Sequence, residues 1–258
     1  MANIPTICVS YSDSICRIDA HKFAQSHHLS CVSLANINTK LSLNFTPDYI
    51  ELRDFETKTS IHVDFISGST AHRQQYGGGK GQAIAKAIGV KPGKTLPTVL
   101  DATAGLAKDA YVIATLGCPV TMVEQSPIVA QLVTDAINRA SHDENFIKIQ
   151  DSGFKLIQQN CLEYLQSITN LPDVIYLDPM YPDRKKSALV KKNMQILQKL
   201  LGNDAAPNAL LETALQYAVN RVVVKRPKGA QAISALKPNA TIETKKTRYD
   251  IYFTFKNN

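Results

Sequence analysis

Apolar and polar positions alternate with different periods along this chain, and the change of period marks two regions. Up to about residue 70 the pattern is short and strand-like. Thr6 to Ser12 reads as a strand, Ile18 to Leu29 as a helix, and Leu41–Phe45 and Ile61–Phe65 alternate with period two. Short strands separated by turns predict hairpins in a small mixed unit. A glycine cluster, Gly77-Gly78-Gly79-Lys80-Gly81, precedes a short helix over Gln82 to Ile88, and Val90-Lys91-Pro92-Gly93-Lys94 reads as a boundary. Two domains are expected, over 1–94 and 95–258.

From Thr98 the pattern becomes regular. Thr98–Thr103 reads as a strand, Ala104-Gly105-Leu106-Ala107 as a tight turn, and Lys108 to Leu116 as a helix ended by Gly117. Val120–Glu124 is the next strand. Ser126 and Pro127 then open a helix whose Ile128, Leu132, Ala136 and Ile137 share a face. A third strand is expected over Lys155–Gln159 and a fourth over Val174-Ile175-Tyr176-Leu177. Val190, Met194, Leu197 and Leu201 turn one face of a helix inward and leave Lys191, Lys192 and Lys199 to solvent. A helix over Ala206–Val219, a strand over Arg221–Pro227 and a closing pair over Thr241–Lys245 and Ile251–Phe255 complete the order. Strands alternating with helices predict an α/β fold with a parallel, Rossmann-like sheet.

Bulk properties narrow the setting. With 44% hydrophobic and 20% charged residues the chain is an ordinary globular protein. No apolar run has the length of a membrane span, and no signal peptide is evident, so a cytoplasmic protein is expected. Five cysteines without a C-x-x-C pair read as reduced thiols. His28 and Cys31 have the spacing of half a zinc site but lack a second pair, so no metal is expected. Net charge is +7, divided as +3 over residues 1–94, −7 over 95–183 and +11 over 184–258. The cationic excess begins directly after Asp178-Pro179-Met180-Tyr181-Pro182, which points to a polyanion such as nucleic acid.

That stretch carries the candidate chemistry. The prolines force the chain out of the sheet at Asp178, which places a carboxylate at the carboxyl end of a strand, where ligands of open parallel sheets bind. Asp178 then serves as an acceptor for a substrate amino group, with Tyr181 stacking on a base, or else caps a helix. The stretch resembles the [DN]-P-P-[YFW] motif of class I methyltransferases that modify exocyclic amino groups. Asp101 and Gly105 belong to a turn without the G-x-G-x-x-G of dinucleotide binders. Glu124 ends the second strand where an acidic side chain reaches ribose hydroxyls. A cofactor lacking phosphates, S-adenosyl-L-methionine, suits this better than a nicotinamide. Asn160 reads either as an adenine contact or as a turn residue. Arg73 and Lys80 flank the glycine cluster, which is either a contact to RNA phosphate or cofactor or a linker. Lys225 and Arg226, with Arg184, Lys185 and Lys186, either hold phosphates or balance the acidic middle third.

Taken together, Gly77–Gly89, Val99–Asp109, Val120–Pro127, Tyr176–Val190 and Val222–Pro227 resemble the ribosomal RNA small subunit methyltransferase J family. The resemblance implies a class I methyltransferase sheet with a small mixed N-terminal domain, methylating the N2 amino group of a guanine in 16S rRNA or the small ribosomal subunit. It implies cofactor contacts at Lys108, Asp109, Glu124, Gln125, Asn160, Cys161 and Asp178. Members commonly have Gly-Arg-Asp where this chain has Ala107-Lys108-Asp109, and Glu-Arg where it has Glu124-Gln125. An adenine-N6 methyltransferase and a non-catalytic rRNA-binding assembly protein are the competing readings.

Overall fold

The computed structural model describes residues 7–67, 81–179, 192–202 and 207–254. They fall into two compact units. The first takes in residues 7–63, 126–139 and 192–202, and the second 64–67, 81–125, 140–179 and 207–254. Among the described residues no helix is long and apolar enough to cross a membrane.

The first unit is built on a five-stranded sheet. Its strands β1 (Ile7–Tyr11), β2 (Cys31–Ser33), β3 (Leu41–Phe45), β4 (Ile50–Asp54) and β5 (Thr59–Ile61) lie in the order β2-β1-β3-β4-β5. Helix α1 (Arg17–Ser26) makes the crossover that a parallel β1–β2 pair requires. β1 and β3 are also parallel, and only β3-β4-β5 form the expected hairpins. Val9, Leu43, Leu52 and Ile61 stand in register and are buried, with Phe23 of α1 against Phe45.

Two helices of this unit come from later in the chain. α4 (Pro127–Ala140) buries Ile128, Val129, Leu132, Val133 and Ala136, and its Asp135 accepts a hydrogen bond from the Ile50 backbone N–H at 3.1 Å. α7 (Lys192–Leu201) corrects the pattern expected of it. Met194 is 43% exposed, and Ile196 and Leu197 are buried. Lys199, expected in solvent, pairs with the buried Asp54 and with Glu56. The partner carboxylates, far away in sequence, decided which way this lysine turns.

The second unit is a seven-stranded sheet ordered β11-β12-β10-β9-β6-β7-β8. Its strands are β6 (Val99–Asp101), β7 (Val120–Glu124), β8 (Lys155–Gln158), β9 (Val174–Leu177), β10 (Arg221–Pro227), β11 (Ala240–Glu243) and β12 (Thr247–Phe253). β8, β7, β6, β9 and β10 are parallel, and β12 runs antiparallel between β10 and β11. The α/β class and the closing antiparallel pair are therefore as expected. β12 starts four residues earlier than its apolar pattern indicates. Arg248 and Asp250 neutralise one another through two hydrogen bonds within the strand, so polar residues occupy positions that read as turn.

The helices of this unit are α2 (Ala83–Ile88), α3 (Lys108–Thr115), α5 (Glu144–Asp151), α6 (Cys161–Ser167) and α8 (Pro207–Tyr217). Phe65, Tyr111 and Phe146 stack within it, with Phe65 and Tyr111 ring centroids 4.8 Å apart, and Phe154 meets all three rings edge-on. Successive strands β6, β7 and β8 step one way across the sheet, and β9 and β10 step the other. The order reverses at β6 and β9, so the carboxyl ends of these two strands form the switch point at which such sheets bind ligands.

Candidate functional site

Five strand ends meet at this edge. β6 ends in Asp101, β7 in Glu124 and β8 in Gln158, while Asp178 follows β9 and Lys225 lies near the end of β10. The turn after β6 is shaped by the backbone. Gly105 has φ +51, and a Cβ there would meet only the Thr103 carbonyl at 3.9 Å, so the positive φ and not crowding calls for glycine. Ala107, which precedes α3, also stands in the left-handed region with φ 57. An alanine there costs about 1–2 kcal/mol in backbone sterics.

Glu124 is held against this turn, its Oε2 accepting the Gly105 N–H at 3.0 Å. On the far side, Lys225 Nζ lies 2.6 Å from Asp109 Oδ2 and 2.8 Å from Asp178 Oδ2. The Tyr176 hydroxyl donates to the same Asp109 oxygen at 2.7 Å, and the Asp178 backbone N–H donates to Thr103 Oγ1 at 2.6 Å. Lys225 thus joins α3, β10 and the end of β9 through two carboxylates, and Thr103 ties the turn after β6 to Asp178.

The protonation of these groups follows from their surroundings. Burial pushes the Asp101 carboxyl up to about 8; the Thr103 N–H opposes this, and the charges of Asp109 and Asp178 add to it. Asp101 is therefore a mostly neutral acid at pH 7. Desolvation raises Asp178 above its usual range, Lys225 opposes the rise and Asp109 reinforces it, although the side chain retains 40% of its exposure. Burial works against the Lys225 charge, but the two carboxylates outweigh it and hold the ammonium above its ordinary value. The Cys161 thiol is pushed up to about 12 by burial and by Asp101, so it is not a nucleophile at neutral pH.

Comparisons with known proteins show the family. A family model described as a putative SAM-dependent methyltransferase matches residues 23–254. The chain belongs to this family. It is 46% identical to the ribosomal RNA small subunit methyltransferase J of Aeromonas salmonicida, over 91% of this chain and 94% of that one. It is 48% identical to the protein of that name from Shewanella amazonensis, over 84% and 88% of the two chains. A crystal structure of a SAM-dependent methyltransferase from Neisseria gonorrhoeae matches with a TM-score of 0.74 at 31% identity, covering 97% of each chain.

The cofactor of this methyltransferase is S-adenosyl-L-methionine, and the donor set fits it. The cofactor carries a sulfonium, an ammonium and a carboxylate, a net single positive charge. Around the edge Asp109, Asp178 and Glu124 outnumber Lys225 even with Asp101 neutral, which favours a cation. The one glycine N–H of the turn is already engaged by Glu124, which leaves it unavailable to a pyrophosphate. Carboxylates without a phosphate cradle match a sulfonium nucleoside.

The other residues singled out from the sequence are placed as follows. Gln125 Oε1 accepts from Asn160 Nδ2 at 3.4 Å, both near the ends of β7 and β8, and Asn160 Oδ1 also caps α6 through the N–H groups of Leu162 and Glu163. Lys108 is exposed and opens α3. Arg226 is 6% exposed and donates to the Gln231 carbonyl, and Lys225 is held by carboxylates, so neither stands on an open face. Tyr181, Arg73, Lys80, Arg184, Lys185 and Lys186 lie outside the described residues. Two participants were missed. Thr103 was read as the last residue of a strand but lies in the turn after β6, and Tyr176 was read only as part of an apolar strand. A fully buried tyrosine needs a partner for its hydroxyl, and that signal was available.

Proposed function

We propose that this methyltransferase transfers the methyl group to the N2 exocyclic amino group of a guanine in 16S ribosomal RNA, in the cytoplasm. The names of the relatives support an rRNA substrate of the small subunit, and the Asp178–Pro182 stretch supports an exocyclic amino group as acceptor. The observation that carries the reading is Asp178 at the end of β9, partly open, with one carboxylate oxygen held by Lys225.

An exocyclic amino nitrogen is a poor nucleophile because its lone pair is delocalised into the ring. An ionised acceptor draws on the N–H bond and favours a tetrahedral nitrogen, and Asp178 supplies that acceptor. When bound, the cofactor supplies an electrophilic methyl group. Glu124 would accept hydrogen bonds from the ribose hydroxyls, and Gln125, Asn160 and Cys161 would line the adenine. Lys108 and Asp109 flank the turn shaped by Asp101 and Gly105. Orientation and exclusion of water do the remaining work. Tyr181 would stack on the base, and the cations of residues 184–258 other than Lys199, Lys225 and Arg226 would meet the phosphate backbone.

The test is transfer of labelled methyl to rRNA or small subunits from cells lacking this protein, followed by nucleoside analysis. Label in N2-methylguanosine is expected. Label in N6-methyladenosine overturns the base assignment, and absence of both label and cofactor binding overturns the enzyme. Asp178→Ala is expected to lower transfer by about 10²- to 10³-fold, the usual cost of losing one transition-state hydrogen-bond partner, with RNA affinity unchanged.

A further inference from the structure

Lys225 was singled out in the sequence as a phosphate contact, and its surroundings argue for a different task. Its side chain is only 27% exposed, and its ammonium lies between Asp109 on α3 and Asp178 after β9. Two of its three N–H donors already go to carboxylates, whose negative charges oppose the approach of a phosphate. Lysine also suits the place chemically. A compact ammonium with three donors can bridge two carboxylates from different elements, whereas a planar guanidinium prefers to grip one.

We propose that Lys225 is a positioning residue for methyl transfer: it clamps one oxygen of Asp178 and keeps that carboxylate ionised, so that the other oxygen accepts the hydrogen bond of the substrate amino group. This rests on the reading of Asp178 given above. Two anchors fix the aspartate, Lys225 at Oδ2 and Thr103 at the backbone N–H, and they leave the carboxylate end directed by the lysine alone among the described residues.

Ionisation is the second half of the role. A protonated Asp178 presents a donor to the amino group and is useless as an acceptor. The groups facing this site are Asp109 from α3, Asp101 from β6, Tyr176 from β9, Lys225 and Arg226 from β10, Tyr249 from β12 and Cys161 from α6. Burial and the neighbouring Asp109 both disfavour a charge on Asp178. Lys225 is the cation in direct contact with it, and Arg226 acts from further off with its guanidinium on the Gln231 carbonyl. Removing Lys225 takes away the contacting cation and leaves burial and Asp109 to push the Asp178 carboxyl up further.

The test compares wild type, Lys225→Met and Lys225→Arg. Three quantities are measured: the pH profile of single-turnover transfer, the carboxyl-carbon NMR titration of Asp178 without cofactor or RNA, and RNA affinity against salt. Activity needs the ionised acid, so it is lost as pH falls through the Asp178 pKa. In Lys225→Met that acid limb and the NMR titration are expected to move up together by roughly one to three units, the effect of losing a contacting opposite charge. Lys225→Arg keeps the charge, so its acid limb stays while kcat falls at unchanged KM for RNA. A folded Lys225→Met with unmoved titration overturns the proposal. So does a salt slope of RNA binding that falls by about one, the mark of a phosphate contact. If Lys225→Met does not fold, Lys225→Arg decides: an acid limb that moves although the charge is kept overturns the clamp. The titration is read without RNA, so a wrong substrate assignment shows separately, as absence of N2-methylguanosine in wild type.

Discussion

Both units bury polar side chains, and they do so in opposite ways. In the five-stranded sheet Ser10, Asn44 and Glu51 stand directly opposite one another on β1, β3 and β4. Ser10 Oγ lies 2.7 Å from Ser42 Oγ and donates to Asn44 at 2.9 Å, and Asn44 donates to Glu51 at 3.0 Å. Strand register supplies every partner, so the chain of hydrogen bonds closes on its neighbours. At the edge of the seven-stranded sheet Asp109, Asp178 and Lys225 come from a helix turn and two strand ends. No register pairs them, all are ionisable, and Asp178 remains partly open. Polar groups satisfied by register hold a fold together, whereas polar groups converging from strand ends hold something that is not protein.

Three variants sharpen that contrast. The largest effect is expected at Glu124→Ala. Loss of a charged hydrogen-bond acceptor is worth about 1.5–3 kcal/mol, so affinity for S-adenosylhomocysteine should fall roughly 10- to 100-fold by calorimetry, with a smaller change in melting temperature. An unchanged affinity would remove Glu124 from the cofactor site. Next comes Asn44→Ala, which strands buried partners on both sides. It is expected to destabilise by about 2 kcal/mol in urea unfolding and to leave cofactor affinity alone. A variant that instead lost affinity at full stability would break the comparison. The smallest change is Ala107→Gly, which relieves a left-handed alanine at the site and is expected to raise stability by up to about 1 kcal/mol. Strain of this kind is absent from the Ser10–Asn44 network, where no residue has a positive φ.

Much of the second unit was legible because its signals are local. The period of apolar residues, the glycine of the turn after β6, the proline after Asp178 and the acid ending β7 each act through neighbours in the chain. They announced the parallel sheet and the strand ends at which a ligand binds. The first unit was harder. β4 buries Glu51 and Asp54 among its apolar residues, so its polar positions concealed a strand, and β2 is only three half-buried residues long. α5 and α6 were missed because each is short and begins on a capping Asp143 or Asn160 that reads equally well as a turn.

The sequence by itself determined the strands of the parallel sheet, where β9 must stop, and which acids stand at the sheet edge, because dihedral preferences and burial periods are written residue by residue. Only the tertiary structure decided what those charges do. Lys225 and Lys199 look alike as cations in a basic third of the chain, yet one lies between Asp109 and Asp178 and the other beside Asp54 and Glu56. A charge takes its role from the partners within a few ångströms, and for both lysines those partners come from 47 to 145 positions away in the chain.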